Sequence, residues 1–186
     1  KYFNLQAFEF NNAETHIILS IDTTGSGICK IFLKEYFNNK VKFLNIDGVG
    51  SIDGGALAIK YRTGGDVLWS TTKYKIYYTV MNDFLRPNQL WYYDLNTEEH
   101  ECIYEEKDES YTLGLIESDD RSKLILASQS KSSTDSFIIS EEDNSLKCLF
   151  KREEGLRVIL NHFAGLWYIL LFQENNTEIL QSSDLI

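Results

Sequence analysis

Two serines lie in glycine-rich segments, a setting in which nucleophilic serines occur. A hydrolase nucleophile has the pattern Gly-x-Ser-x-Gly, which holds the serine on a sharp turn between a strand and a helix. Ser26 lies in Thr24-Gly25-Ser26-Gly27, and Ser51 lies in Gly50-Ser51-Ile52-Asp53-Gly54. Each misses the pattern by one residue, and no helical pattern follows either one. The sequence therefore predicts no catalytic residue in this chain.

Metal and cofactor sites also lack their usual spacing. The three histidines, His16, His100 and His162, have no second ligand at hairpin or helical spacing, whereas a metal needs several ligands that converge. No glycine pair precedes a helical pattern that could hold a phosphate. We expect no metal and no cofactor. Four acidic doublets fall at turns or strand ends, and we interpret them as solvated loops: Glu98-Glu99, Glu105-Glu106, Glu141-Glu142 and Glu153-Glu154.

The charge balance disfavours polyanionic partners. The chain has 28 acidic and 18 basic residues, a formal net charge of −10, so we expect no nucleic acid and no anionic membrane as a partner. Cationic partners or simple solubility both fit this charge. Apolar runs such as Leu166–Phe172 are far shorter than the ~20 residues that span a bilayer. The widely spaced Cys29, Cys102 and Cys148 predict reduced thiols and a cytoplasmic location.

A strand-forming unit repeats along the chain. Its centre is a run that is apolar on both faces, found at His16–Ile21, Lys75–Val80, Lys123–Ser128 and Leu166–Phe172. A short strand precedes each run, and a third and an alternating fourth strand follow. The distance from Val67 to Leu113 is 46 residues, and from Leu113 to Val158 it is 45. Four antiparallel strands at this period are typical of propeller blades. We predict an all-β partial β-propeller of about three and a half four-stranded blades.

The period also sets the expected boundaries. Blades are predicted at about 1–47, 66–108, 111–155 and 156–186, with a glycine-rich insertion at 48–65 and no fourth strand in the last blade. A fourth strand at Val41–Leu44 would close the first blade. One residue of each central strand should be almost fully buried: Ile18, Tyr77, Ile125 and Ile169.

Several strings resemble, in the same order, the oligopeptidase B group of the prolyl oligopeptidase family of serine peptidases. They are Ile21-Asp22-Thr23-Thr24-Gly25-Ser26, Leu85-Arg86-Pro87 with Leu90-Trp91-Tyr92, Tyr104-Glu105-Glu106-Lys107-Asp108-Glu109, Ser130-Lys131-Ser132-Ser133-Thr134 and Arg152-Glu153-Glu154-Gly155. The resemblance implies a seven-bladed propeller that covers an α/β-hydrolase domain and admits short peptides. It places the Ser-Asp-His triad, which would cleave after basic residues, wholly in that other domain. Gly27 stands where relatives often have a glutamate, so an ion pair from that position is not expected.

The resemblance also implies which residues face the substrate cavity and which partners the chain has. Tyr111, Thr112, Gln129 and Lys131 lie in loops that would face the peptidase domain of the same parent chain and its short peptide substrates. An alternative is a stand-alone β-propeller scaffold that binds protein partners.

We also expect this chain to self-associate. Its terminal blades would present open faces, with Ile17, Leu19 and Phe32 on the first and Trp167, Ile169 and Leu171 on the last. Thr177–Gln181 would add an unpaired strand edge.

Overall fold

The computed structural model describes residues 2–35, 41–42, 44–45, 57–58, 62–174 and 176–184. All regular secondary structure in these ranges is β-strand. The chain divides into two compact units, an N-terminal unit (Lys1–Glu105) and a C-terminal unit (Glu106–Ile186). Each unit is described by itself.

The N-terminal unit contains two four-stranded sheets. The first consists of β1 (Asn4–Phe10), β2 (His16–Asp22), β3 (Lys30–Glu35) and β4 (Val41–Lys42), and the second of β7 (Val67–Trp69), β8 (Lys75–Met81), β9 (Pro87–Asp94) and β10 (His100–Glu105). Every neighbouring pair in these sheets is antiparallel. The predicted strand Val41–Leu44 is shorter, because Leu44 instead belongs to β5 (Leu44–Asn45), which pairs in parallel with β6 (Leu57–Ala58).

The C-terminal unit contains a four-stranded sheet and a three-stranded sheet. The first is formed by β11 (Thr112–Glu117), β12 (Leu124–Gln129), β13 (Thr134–Ile139) and β14 (Leu146–Phe150), and the second by β15 (Arg157–Phe163), β16 (Leu166–Gln173) and β17 (Asn176–Ser182). Strands pair in chain order and antiparallel throughout. The predicted all-β architecture of successive antiparallel sheets is therefore confirmed.

The central strands are buried because they are apolar on both faces. Every residue of β8 is buried, and the four predicted core residues are 0% (Ile18), 0% (Tyr77), 1% (Ile125) and 4% (Ile169) exposed. In the N-terminal unit, Ile18 and Ile31 pack with residues of the second sheet such as Trp69. In the C-terminal unit, Ile125 packs with Trp167 and other residues of the last sheet.

The prediction of open faces is wrong for several residues. Trp167 and Ile169 belong to the core of the C-terminal unit, and Ile17 is also buried. The alternation of a strand is two residues, so the opposite face of the last sheet carries Ile159, Phe163 and Ile179, which are 44%, 53% and 71% exposed. A strand that is apolar on both faces does not itself indicate which face meets its neighbour. Leu19 and Phe32 are half-buried, as is Leu171.

The predicted strand edge is confirmed. Within the described residues, β17 pairs with β16 alone, and all of its residues but the last are exposed.

Most of the predicted insertion, residues 48–56 and 59–61, lies outside the described residues. Its last part returns to the first sheet, where the Cys29 amide donates to the Thr63 carbonyl at 2.9 Å. Gly65 has φ of 114°, and a Cβ added there would lie 2.8 Å from the Cβ of Gln6. Only glycine fits this close approach.

Candidate functional site

The four residues predicted to face a substrate cavity lie at one end of the β11–β14 sheet of the C-terminal unit. Thr112 begins β11 and pairs in register with Gln129 at the end of β12, and Tyr111 directly precedes them. Lys131 lies in the β12–β13 turn, which is closed by the Ser130 amide donating to the Ser133 carbonyl at 2.9 Å. The Ser130 hydroxyl oxygen accepts hydrogen bonds from the amides of Ser132 and Ser133 at 3.2 and 3.1 Å. This turn fixes the backbone that carries the exposed Lys131 side chain.

Three of these residues line one open cavity. Thr112, Gln129 and Lys131 surround a volume of about 480 Å³, which is completed by Ser110, Ser130 and Arg157. The structure therefore brings these three predicted residues together at one concave surface. Its lining offers two cations, hydroxyl groups and an amide.

Tyr111 is placed differently. It is buried and contributes, with Lys131, to a second cavity of about 510 Å³. A third cavity of about 650 Å³ is lined by Lys131, Arg157, Glu154 and Glu174 among others. Lys131 is thus common to all three cavities.

Sequence reasoning missed Arg157, although the repeat contains a signal for it. Thr112 and Arg157 are 45 residues apart, which is the period between Leu113 and Val158. Arg157 therefore occupies the position of Thr112 one repeat later. Thr112 was selected because it lies where the chain enters the first strand of a blade, and the same criterion applied to the next blade would have identified Arg157.

A charged network contacts Tyr111, which lines the second cavity. The Arg152 guanidinium contacts the carboxylates of Asp135 and Glu106 and lies over the Tyr111 ring, 3.7 Å from its centroid. The Ser128 hydroxyl donates to Glu106 at 2.6 Å. Glu106 and Asp135 are only 4% and 6% exposed. We call Arg152, Glu106 and Asp135 the arginine network.

The electrostatics of this network favour its charged form. Burial raises the pKa of Glu106, but hydrogen bonds from Ser128, the Asp108 amide and Arg152 outweigh it, and the net effect lowers that pKa. The same carboxylates raise the pKa of Arg152. The interpretation of Glu105-Glu106 as a solvated pair is therefore wrong for Glu106, because a partner 46 residues away compensates its burial.

The network also holds Tyr111 in place. Its ring lies under the Arg152 guanidinium, and its hydroxyl is hydrogen-bonded to Ser133 at the β12–β13 turn. Tyr111 is therefore a support of this surface.

A serine, a histidine and an aspartate also meet elsewhere in the C-terminal unit. The Nδ1 atom of His162 is 2.7 Å from Asp120 Oδ2 and 3.0 Å from Ser122 Oγ. In a catalytic triad the serine and the aspartate occupy opposite nitrogens of the ring, whereas here both approach the same one. His162 is 9% exposed and packs edge-on against Trp167. The trio therefore fits a structural link between β15 and the β11–β12 turn, and its geometry does not fit nucleophilic catalysis.

The other histidines and serines considered as catalytic or metal-binding candidates make contacts that fit a structural role. His16 and His100 contact the rings of Tyr74 and Trp91. Ser26 Oγ is 2.7 Å from Thr24 Oγ1, and Ser51 lies outside the described residues. Among the described residues, no three His, Cys, Asp or Glu side chains form a group that could hold a metal, and no helix is long and apolar enough to cross a membrane.

The Asp22 turn is organised by its carboxylate. The amides of Thr24 and Gly25 donate to Asp22 Oδ1 at 2.8 and 2.9 Å, and the Gly27 amide donates to Oδ2 at 2.8 Å. These hydrogen bonds, that of Thr24 foremost, lower the pKa of Asp22 to about 2.

Comparison with known proteins gives the family context. Residues 1–179 match the family model described as the prolyl oligopeptidase N-terminal β-propeller domain. Protease 2 from Moraxella lacunata is 28% identical over 103 residues, which cover 53% of this chain and 15% of that protein. The chain thus spans about one seventh of the curated relative.

Solved structures share the fold. Oligopeptidase B from Leishmania major superposes with a TM-score of 0.78 at 19% identity, covering 99% of this chain and 26% of that one. Oligopeptidase B from Trypanosoma brucei, with covalently bound antipain, gives 0.75 at 19% identity, covering 97% and 24%. The β-propeller domain of the trilobed protease from Pyrococcus furiosus gives 0.56 at 14% identity, covering 97% and 58%. The predicted partial β-propeller is therefore confirmed.

Proposed function

This chain belongs to the prolyl oligopeptidase family and corresponds to the N-terminal β-propeller domain of that family. We propose that it regulates the access of short peptides to the active site of an oligopeptidase-B-like serine peptidase. The observation that carries the proposal is the family match from residue 1 to residue 179, which extends through all four antiparallel sheets. The likeness to Protease 2 favours the oligopeptidase B group.

In the proposed reaction, the chemistry belongs to the peptidase domain of the parent chain. A serine of that domain attacks the peptide carbonyl after a histidine takes its proton, and an acyl-enzyme forms and is hydrolysed. The propeller residues do not contact the reacting carbonyl. They bind parts of the peptide away from the scissile bond, which restricts its position and so increases the rate.

The surface formed by Thr112, Gln129, Lys131 and Arg157 supports this role. It combines hydroxyl and amide groups that can pair with a peptide backbone with two cationic side chains. The arginine network supports the adjoining Tyr111 and, through Ser133, the β12–β13 turn. We propose that this surface faces the peptidase domain.

Charge and thiols support two further parts of the proposal. The formal net charge of −10 favours the approach of peptides that contain Arg or Lys, so we propose cleavage after basic residues. Cys29, Cys102 and Cys148 are free thiols, which suits a reducing compartment. We propose a cytoplasmic location.

The test compares the 186-residue chain with the product of its complete coding sequence. Each protein is assayed with short chromogenic peptides that end in Arg, Lys or a neutral residue, and labelled with a serine-reactive fluorophosphonate. We expect no turnover by the 186-residue chain, and turnover of Arg and Lys substrates by the complete protein.

A length series tests access. Peptides of about ten residues and a disulfide-bonded folded protein with exposed lysines are compared, and we expect only the peptides to be cleaved. Equal cleavage of the folded protein would contradict regulated access. A complete protein without fluorophosphonate labelling would instead favour the stand-alone scaffold.

A further inference from the structure

We propose that Lys131 and Arg157 form an anion site that binds the terminal carboxylate of a peptide. The choice of ligand rests on the proposed peptidase function, but the site lies within the 186 residues and can be tested on them alone. Both side chains are exposed and line the same cavity of about 480 Å³, within the rough range of 300–1,000 Å³ that ligand sites occupy.

The charge of this cavity is opposite to that of the chain. Its lining residues are Ser110, Thr112, Gln129, Ser130, Lys131 and Arg157, which include two cations and no carboxylate. The cavity of about 650 Å³ that the same two cations also line contains Glu154 and Glu174, so the proposed anion site is the 480 Å³ cavity alone. The formal net charge of the whole chain is −10. Two like charges at one concave surface repel each other, and an anion bound between them removes that repulsion.

Neither Lys131 nor Arg157 forms an ion pair within the described residues. Among these residues, the ion pairs of the C-terminal unit have Arg121 or Arg152 as the cation. Arg152 differs because Glu106 and Asp135 already neutralise it. Lys131 and Arg157 are therefore the cations of this surface that remain available to a ligand.

The chemistry of the lining favours a peptide terminus. A guanidinium can bind both oxygens of a carboxylate through parallel hydrogen bonds, and an ammonium adds a point charge. The Gln129 amide can both donate and accept, as the last peptide groups before a C-terminus require. An isolated phosphate would use the cations and could accept from the Gln129 amide, but it has no amide N–H to donate to the Gln129 carbonyl oxygen.

The site also has a fixed frame. Lys131 is carried by a turn whose amides bond to the Ser130 hydroxyl, and Arg157 begins β15. Placing each cation on a hydrogen-bonded element limits the conformational entropy lost on binding.

The test is a titration of the ¹⁵N-labelled 186-residue chain with N-acetyl-trialanine, followed by amide chemical shifts. The free acid is compared with the same peptide as its C-terminal amide, with an amidated peptide that contains an internal glutamate, and with inorganic phosphate. We expect the free acid to shift the amides of residues 130–132 and 157, and the plain amide to bind about tenfold more weakly, as the loss of a charge-assisted hydrogen bond predicts.

Variants identify the two cations. Lys131→Gln and Arg157→Gln should each weaken binding of the free acid by about tenfold, while leaving binding of the amidated peptide unchanged. Lys147→Gln is the matched control, because Lys147 is an exposed cation of β14 outside this cavity and its loss changes the net charge equally. Binding by the control should stay within about twofold of the unaltered chain.

Several outcomes overturn the proposal. They are equal affinity for acid and amide, an equal loss in the Lys147 control, or no saturable shift with the free acid. Tighter binding of the internal glutamate would assign the site to acidic side chains instead, and tighter binding of phosphate would assign it to inorganic anions. None of these bears on the peptidase proposal, whose test is turnover by the complete protein.

Discussion

Within the N-terminal unit, the two sheets pack through apolar and aromatic side chains such as Ile18, Ile76 and Tyr93, whereas in the C-terminal unit polar networks accompany the apolar core. In the C-terminal unit, the arginine network and the Asp120–His162 contact are present in addition to the apolar core around Ile125 and Trp167. The two units thus use the same strand order but differ in their polar contacts. In the C-terminal unit, Asp120 and His162 join the β11–β12 turn to the last sheet, and the arginine network links the β11–β14 sheet to the segments that flank it.

This difference has an energetic consequence. Apolar burial is non-directional and roughly proportional to area, so a core of this kind loses stability gradually as single contacts are removed. A buried charged network stabilises only while all of its partners are present, because one missing partner leaves an uncompensated charge. We therefore expect the C-terminal unit to respond more sharply to changes in charge than the N-terminal unit.

The largest effect is expected from Arg152→Leu. The substitution leaves Glu106 and Asp135 buried without their cation, which should lower the free energy of unfolding by about 3–5 kcal/mol. Amide hydrogen exchange of β12 and β13 measures this within the C-terminal unit. Lys151→Leu, at the exposed neighbouring residue, should change it by less than about 0.5 kcal/mol. A loss below about 1 kcal/mol for Arg152→Leu would show that the network does not stabilise the unit.

Core truncations test whether the apolar parts of the two units are alike. Ile18→Ala and Ile125→Ala should each cost about 2–5 kcal/mol, the range for a cavity in a packed core. Urea unfolding followed by tryptophan fluorescence and by hydrogen exchange gives both values. Ile159→Ala is the matched control, since Ile159 is 44% exposed, and it should cost less than either core truncation. Similar losses of stability for the two core variants would indicate that the units differ in their polar networks and not in their apolar cores.

Acid should weaken the C-terminal unit through Asp120. Burial raises the pKa of this carboxyl, but hydrogen bonds from Ser122 and Ser118 outweigh it and lower the pKa to about 2, compared with about 3.9 in an unfolded chain. A depressed pKa stabilises the fold above the unfolded value, so this contribution is complete above about pH 5 and is lost as the pH falls towards 2. The pKa of Glu106 is shifted in the same direction.

Hydrogen exchange from pH 6 to pH 3, corrected for the intrinsic rates, measures this loss. Amides of β15 should lose protection over this range, and Asp22, whose pKa is likewise about 2, predicts a separate loss in the N-terminal unit. Asp120→Asn should reduce the pH dependence at β15 and leave β8 unchanged. The prediction is contradicted if Asp120→Asn leaves the pH dependence at β15 unchanged.

The smallest change in folding stability is expected for substitutions that test self-association. We propose that the exposed face of the last sheet mediates this self-association. Ile159, Phe163 and Ile179 are exposed there, and β17 is an edge strand in the described part of the chain, a feature that invites pairing with another chain. Light scattering over a concentration series should show a dimer. Ile179→Lys should weaken association while changing the free energy of unfolding by less than about 0.5 kcal/mol.

Thr177→Lys is the control for this substitution. It adds the same charge to the same strand and face but removes no large apolar side chain, so it should weaken association less. A monomer at every concentration would refute the proposal.

The sequence alone determined the order of the strands in the antiparallel sheets and the residues at their centres, although not the end of β4 or the parallel pair of β5 and β6. Ile18, Tyr77, Ile125 and Ile169 were identifiable because burial on both faces requires a continuous apolar run, and the period of about 46 residues marks each repeat. Three of the four predicted cavity residues also converge, because the ends of paired strands and their turn are close in any hairpin.

Only the tertiary structure decided which faces and which distant charges meet. The last central strand is apolar on both faces, so its sequence does not show which face meets the core. In the structure Ile169 faces the core, whereas Ile159 and Ile179 of the two neighbouring strands lie on the opposite, exposed face. Glu106 and Arg152 occupy equivalent positions in successive repeats, yet local periodicity does not show that the two side chains meet. Periodicity reports whether a residue is buried, because burial follows from local alternation. Partners 46 residues apart in sequence, such as Glu106 and Arg152, meet only when the strands between them have folded.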